Sequence, residues 1–185
     1  MDPMDWITLE STYLFKDEWL TARRDKCRKP DGKIVDPYYV LEYRDWVNAV
    51  AFTKEGKVLM IRQFRQAYGH TITELPGGTM DPEDASPTVA MQRELLEETG
   101  FSFDHMEYLG NVSANASTSN NVTHMFLATG GVKVQEQDLD ENEEIMVMEL
   151  SVDEVKQLLR ENKVVQALHV TNILYAFEKT GHIKM

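Results

Sequence analysis

The stretch from Leu75 to Phe101, LPGGTMDPEDASPTVAMQRELLEETGF, constrains this chain more than any other. The Ser86 hydroxyl can accept the free backbone N–H groups of a first helical turn. Pro87 suits the first helical position, and Gly100 suits the residue just past a helix end. A helix is predicted between them. Within it Glu94, Glu97 and Glu98 stand at i, i+3 and i+4, so at about 100° per residue their carboxylates share an arc of roughly 100°. Val89 and Leu96 are expected on the far side, facing a core.

Three neighbouring carboxylates repel one another, so they either point into bulk water or are neutralised by cations. Hard cations such as Mg²⁺ or Mn²⁺ prefer oxygen ligands, and Mg²⁺ completes its shell with water and substrate phosphate. An isolated acidic helix face is ordinarily a solvated one. Here a Leu-Pro-Gly-Gly turn leads in, an arginine precedes the first glutamate, and a Gly-aromatic pair closes the run.

That combination resembles the Nudix box: Gly, five residues, Glu, seven residues, then Arg-Glu-apolar-x-Glu-Glu-x-Gly-apolar. Arg93 to Phe101 match its second half completely. The first half departs from it. Counting from Gly78, the upstream acid falls on Asp84, and eight residues separate it from Arg93. This reads as a one-residue insertion before the helix, with Glu83 or Asp84 buttressing the loop against Arg93.

The 185 residues suit one domain with a sizeable core. A formal net charge of −12 argues against a general nucleic-acid surface, because phosphate backbones are held by Lys and Arg. The single cysteine, Cys27, permits no internal disulfide and is expected as a half-buried strand residue. The opening MDPMDWITLE is acidic and lacks the apolar run of a secretory leader, and no stretch has the apolar length of a membrane span. A cytoplasmic location is expected.

Along the chain, apolar residues between 6 and 24 fit one or two strands. The Lys29-Pro30-Asp31-Gly32 turn then leads to a hairpin partner over 33–43. Residues 1–45 therefore read as a small antiparallel sheet ahead of a second segment, 46–185. In the latter, 46–53 and 57–65 form a hairpin and 71–75 a further strand. Strands follow at 107–113, 124–129, 132–134 and 145–150, with 114–121 a polar loop. Ser151 and Glu154 form a capping box for a helix to about Asn162, and a last helix spans about Gln166 to Thr180. Extended segments on either side of the acidic helix predict an α+β fold, a mixed sheet with that helix on one face.

The resemblance extends this to the Nudix α/β/α sandwich with a mixed central sheet plus an N-terminal antiparallel sheet. Arg62-Gln63-Phe64-Arg65 followed by Glu74-Leu75-Pro76-Gly77-Gly78 is similar to the branch of ADP-ribose pyrophosphatases and nucleoside-diphosphate-sugar hydrolases. It implies Mg²⁺- or Mn²⁺-assisted attack of water on a pyrophosphate linkage, giving a nucleoside monophosphate and a sugar phosphate. It also implies a homodimer built through the front sheet.

On the same resemblance Glu94 and Glu98 would be the main metal ligands. Glu97 would serve a further metal, and the Gly77 carbonyl would complete a site. Arg93 would orient its neighbours, with Gly78, Asp84 and Gly100 shaping the box. Glu97 and Glu98 belong with the catalytic groups, and the water-activating glutamate of a late loop falls on Glu143 first and Glu141 second. Arg44, Arg65 and Glu74 are candidates for substrate contact, with Trp19 and Trp46 as stacking faces. None of the five histidines has metal-ligand spacing.

Asn115-Ala116-Ser117 stands where ADP-ribose enzymes of the family often carry Ser-Pro-Gly. Use of several diphosphate sugars, GDP-mannose alongside ADP-ribose, is therefore as plausible as ADP-ribose alone. Two other readings stay open: hydrolysis of nucleoside triphosphates or dinucleoside polyphosphates, and a non-catalytic module that senses nucleotide sugars.

Overall fold

The computed structural model describes residues 2–17 and 20–184, and Trp19 lies outside them. The chain forms two compact units, residues 1–44 with 113–122 and residues 45–112 with 123–185.

In the first unit β1 (Ile7–Lys16), β2 (Thr21–Arg28) and β3 (Ile34–Glu42) form an antiparallel sheet in that order. The turn at Lys29 closes through hydrogen bonds from Gly32 N to Lys29 O and from Lys29 N to Lys33 O, with Gly32 at φ 82°, where only glycine is at ease. Cys27, expected half-buried, is buried on the central strand. Asp25 is buried beside it, and its carboxylate accepts from Arg23 Nε at 3.0 and 3.1 Å. The polar stretch 113–122 docks along β3: Leu41 N–H donates to Thr118 O at 2.7 Å, and Tyr38 O–H donates to Ser117 O at 2.7 Å.

The second unit is built on a seven-stranded mixed sheet. It contains β4 (Trp46–Thr53), β5 (Val58–Arg65), β6 (His70–Glu74), β7 (Phe101–Ser102), β8 (His105–Val112), β9 (Thr123–Lys133) and β10 (Ile145–Leu150). The main order is β10-β5-β4-β9-β7, with β6 against β5 and β8 against β9. Only the pairing of β4 with β9 is parallel among the described strands. Residues 123–133 form one strand where the sequence predicts two, because Gly130 and Gly131 break the apolar pattern without breaking the ladder.

Three helices cover the sheet: α1 (Pro87–Thr99), α2 (Val152–Arg160) and α3 (Ala167–Lys179). β4 is apolar on both sides because both are covered. Val47, Ala49 and Ala51 pack with Ala90, Met91 and Leu95 of α1, whereas Val50 and Phe52 pack with Val155 of α2 and with Ile173, Ala176 and Phe177 of α3. This is the α/β/α arrangement expected from the resemblance. No helix is long and apolar enough to cross a membrane among the described residues.

The helix ends follow the sequence closely. Ser86 Oγ accepts from Val89 N at 3.3 Å, and Gly100 adopts φ 75° with its N–H on Leu96 O at 2.9 Å. Ser151 and Glu154 form the reciprocal capping box of α2. The core-facing side of α1 differs from expectation. Val89 is 42 % exposed and Leu96 only partly buried, while Ala90, Met91, Glu94, Leu95, Glu98 and Thr99 are buried. The helix thus turns two of its glutamates inward alongside its apolar residues.

Candidate active site

Two backbone segments set the position of the acidic helix. Gly77 and Gly78 cross close over β4: Val47 N–H donates to Gly78 O at 2.9 Å, and Ala49 N–H to Pro76 O at 3.2 Å. A Cβ on Gly77 would lie 2.2 Å from Val47 O, and one on Gly78 would lie 2.5 Å from Glu94 Oε1. Only glycines let the turn lie against both the strand and the carboxylate.

Across that turn, Gly77 N–H donates to Glu98 Oε2 at 2.7 Å. Burial pushes the Glu98 carboxyl well above the ordinary range; the Gly77 bond and Arg65 oppose the shift, and the charges of Glu94 and Glu143 add to it. Burial likewise raises Glu94, to about 7, with Glu97 and Glu143 adding and Arg93 opposing. Two buried carboxylates that both resist ionisation, side by side, are a strong demand for positive charge.

Arg93 meets only part of that demand. Its Nη1 lies 2.9 Å from Glu97 Oε2 and 3.1 Å from Glu94 Oε1, and its other nitrogens reach Asp84 at 2.9 and 3.3 Å and Thr79 O at 3.1 Å. Burial would lower the Arg93 proton affinity, but Asp84, Glu94 and Glu97 outweigh it and raise it. Asp84 is held below the usual carboxylate range, chiefly by its hydrogen bonds with Arg93. Of the two candidates for the upstream acid, Asp84 is therefore the one that meets the arginine. Glu97, the third glutamate, is turned to Arg93 with its side chain 38 % exposed.

Glu74 is fully buried, and its carboxylate accepts from Arg65 Nε at 2.8 Å and from Gln166 Nε2. Both oxygens of this candidate substrate contact are thus occupied by protein donors. Next along the chain, Leu75 N–H donates to His169 Nδ1 at 2.8 Å. Burial holds His169 down to about 3, with Arg65 adding, so the ring is neutral at physiological pH. Gln166 and His169 carried no sequence signal; both enter from the start of α3, more than 90 positions downstream.

The late acidic loop splits its candidates. Glu143 is half-buried, and its charge acts on both Glu94 and Glu98, whereas Glu141 is exposed. Trp46 is half-buried at the start of β4, bridged to Thr79. Arg44 belongs to the first unit, where its carbonyl accepts from Asn121 Nδ2 at 2.9 Å.

No group of three or more His, Cys, Asp or Glu side chains among the described residues is arranged to enclose a metal ion. The donors on offer are the paired carboxylates of Glu94 and Glu98 beside the Gly77-Gly78 turn. They fit Mg²⁺, which commonly takes one or two carboxylates and fills its remaining positions with water and phosphate.

Comparison with known proteins finds likeness over most of the chain. Residues 42–169 match the family described as NUDIX domain, and residues 6–41 match the nucleoside diphosphate sugar hydrolase N-terminal domain. The methanol dehydrogenase activator of Bacillus methanolicus is 27% identical over 91% of this chain and 90% of its own length. The ADP-ribose pyrophosphatase of Bacillus subtilis (strain 168) is 26% identical over 95% and 94%. A solved structure titled as an ADP compounds hydrolase superposes with a TM-score of 0.83 over 96% of this chain and 97% of that one, at 18% identity.

Proposed function

Because the chain belongs to the Nudix family of hydrolases, which act on phosphoanhydride bonds, we propose that its substrate is a nucleoside diphosphate sugar, of the ADP-ribose or GDP-mannose type. The products are then a nucleoside monophosphate and a sugar phosphate. The observation that carries this reading is the inward-facing pair Glu94 and Glu98, with raised proton affinities, beneath the Gly77-Gly78 turn and within the field of Glu143 and Arg65. The front-domain match over residues 6–41 and the names of relatives support the diphosphate-sugar class.

Glu94 and Glu98, with the Gly77 carbonyl, would hold Mg²⁺ or Mn²⁺, which when bound neutralises phosphate charge and orients the linkage. The chain's own groups do the rest. Arg65, its Nε committed to Glu74, directs the far end of its fork to phosphate oxygens, so Glu74 and Gln166 orient the arginine from behind. Glu143 accepts a proton from the water whose oxygen forms the new bond to phosphorus, as the bridging oxygen leaves with the other phosphate. Arg93 keeps Glu97 and Asp84 in place.

The same glutamates could serve triphosphates or dinucleoside polyphosphates, and a sensing module would bind without turnover. The discriminating assay supplies Mg²⁺ with ADP-ribose, GDP-mannose, UDP-glucose, a dinucleoside polyphosphate and a nucleoside triphosphate. Fastest turnover of a diphosphate sugar supports the proposal. Preference for the longer phosphate chains overturns it, and binding without hydrolysis, unchanged in Glu98→Gln, favours the sensor.

A further inference from the structure

The last carbonyls of a helix have no partner within it. In α1 the segment leading to the acidic loop supplies them. Asp138 N–H donates to Glu97 O at 2.9 Å, and Gln137 Nε2 donates to Glu98 O at 2.6 Å. Val134 and Gln135 N–H donate to Gly100 O at 2.9 and 3.3 Å, and the backbone there passes so close that a Cβ on Gly100 would lie 2.2 Å from Gln135 O.

Gln137 makes a second bond that its neighbours do not. The same Nε2 donates to Ile145 O at 3.2 Å, at the first residue of β10. Both partners are backbone carbonyls, which only accept, so the side-chain amide can serve them only through its nitrogen. One side chain thereby joins three points: the helix turn carrying Glu98, the entry to the loop 138–144 and its exit. Within that loop the Glu143 N–H returns to Asp140 O at 2.9 Å and the Asp140 N–H to Glu143 Oε2 at 3.3 Å, so the loop's own turn is internal. Its entry is held to α1 by the Asp138 N–H as well as by Gln137, and Gln137 also ties in its exit.

We propose that Gln137 is a positioning residue. Its amide sets the distance between the loop that carries Glu143 and the Glu94–Glu98 pair, so that Glu143 is presented to the reacting water at a fixed reach. The catalytic part of this rests on the reading of Glu143 as proton acceptor; the tether itself does not. Gln137 touches neither substrate nor metal, and its loss acts on proton transfer rather than on substrate affinity.

The experiment uses Gln137→Met, which keeps the length of the side chain and removes its donors, alone and combined with Glu143→Gln in the full-length protein. Two readouts are taken: steady-state turnover of the best diphosphate sugar, and amide hydrogen exchange of the loop 138–144. Gln137→Met is expected to speed loop exchange by about tenfold without changing that of α1, and to lower kcat by about tenfold with KM within about twofold. In the Glu143→Gln background the same change should cost less than about twofold, because its target is already gone. Unchanged loop exchange overturns the tether. An equal loss of kcat in both backgrounds overturns positioning of Glu143. Wild-type turnover in Glu143→Gln, with loop exchange still raised by Gln137→Met, overturns the proton-acceptor reading and Gln137's part in turnover while upholding the tether.

Discussion

Glu98 accepts the Gly77 N–H at 2.7 Å from a buried position on α1, so the helix and the glycine turn meet at a carboxylate that one hydrogen bond alone does not satisfy. A single neutral donor offsets little of the cost of burying a charge, and Glu94 and Glu143 repel it further. The site is thus least comfortable without a cation.

Glu98→Gln should separate stability from function. The amide oxygen still accepts from Gly77, and the like-charge repulsion disappears. The metal-free variant is expected to gain stability, about 1 kcal/mol or a few degrees in Tm, as the pH rises above the ordinary carboxylate range. Its turnover is expected to fall by on the order of a thousandfold, and the rise in Tm that Mg²⁺ gives the wild type should vanish. Paired thermal scans with and without Mg²⁺ test both halves.

Gly78→Ala tests the close approach of the turn to Glu94. The new Cβ would fall 2.5 Å from Glu94 Oε1, so the carboxylate must swing away. Calorimetric titration with Mg²⁺ should show lost affinity while circular dichroism shows an intact fold. Gly77→Ala collides instead with the Val47 backbone at 2.2 Å and should cost about 1–3 kcal/mol of stability.

His169 predicts a pH dependence of stability. Its folded pKa of about 3 lies below the ordinary 6.5, so between these values the unfolded chain binds a proton that the folded one does not. Stability from this group is full above about 6.5 and falls as the pH drops, by up to about 1.4 kcal/mol per pH unit. His169→Gln, which retains an acceptor for Leu75 N–H, should flatten urea-melt midpoints across that window. An unchanged slope would show that other groups set it.

The front sheet predicts self-association. Strand β1 leaves Ile7, Leu9, Tyr13, Leu14 and Phe15 between 42% and 55% exposed, an apolar edge of the kind that a second chain covers. Sedimentation should give a dimer, and Leu14→Asp with Phe15→Asp a monomer; a monomeric wild type would contradict the expectation.

Local chemistry made much of this legible in the sequence. Ser86, Pro87 and Gly100 bound α1, the Ser151–Glu154 box starts α2, and the count from Gly78 narrows the upstream acid to Glu83 or Asp84, of which Arg93 meets Asp84, because each device acts within a few residues. The inward face of α1 was not legible. Val89 is apolar yet exposed and Leu96 only partly buried, while Glu94 and Glu98 are charged yet lie inside, an inversion of the amphipathic rule at a functional site. The supports of the site were equally hidden. Gln137 to Glu98, Gln166 to Glu74 and His169 to Leu75 span 39 to 94 positions, and no periodicity encodes a contact of that range.

The most direct measurement follows the products. Purified protein with Mg²⁺ and a diphosphate sugar, observed by phosphorus NMR in ¹⁸O-labelled water, should yield a nucleoside monophosphate and a sugar phosphate, with label on one of the two new phosphate ends. Glu98→Gln should yield neither. Release of inorganic phosphate or pyrophosphate from a triphosphate, with every diphosphate sugar left intact, would contradict the account.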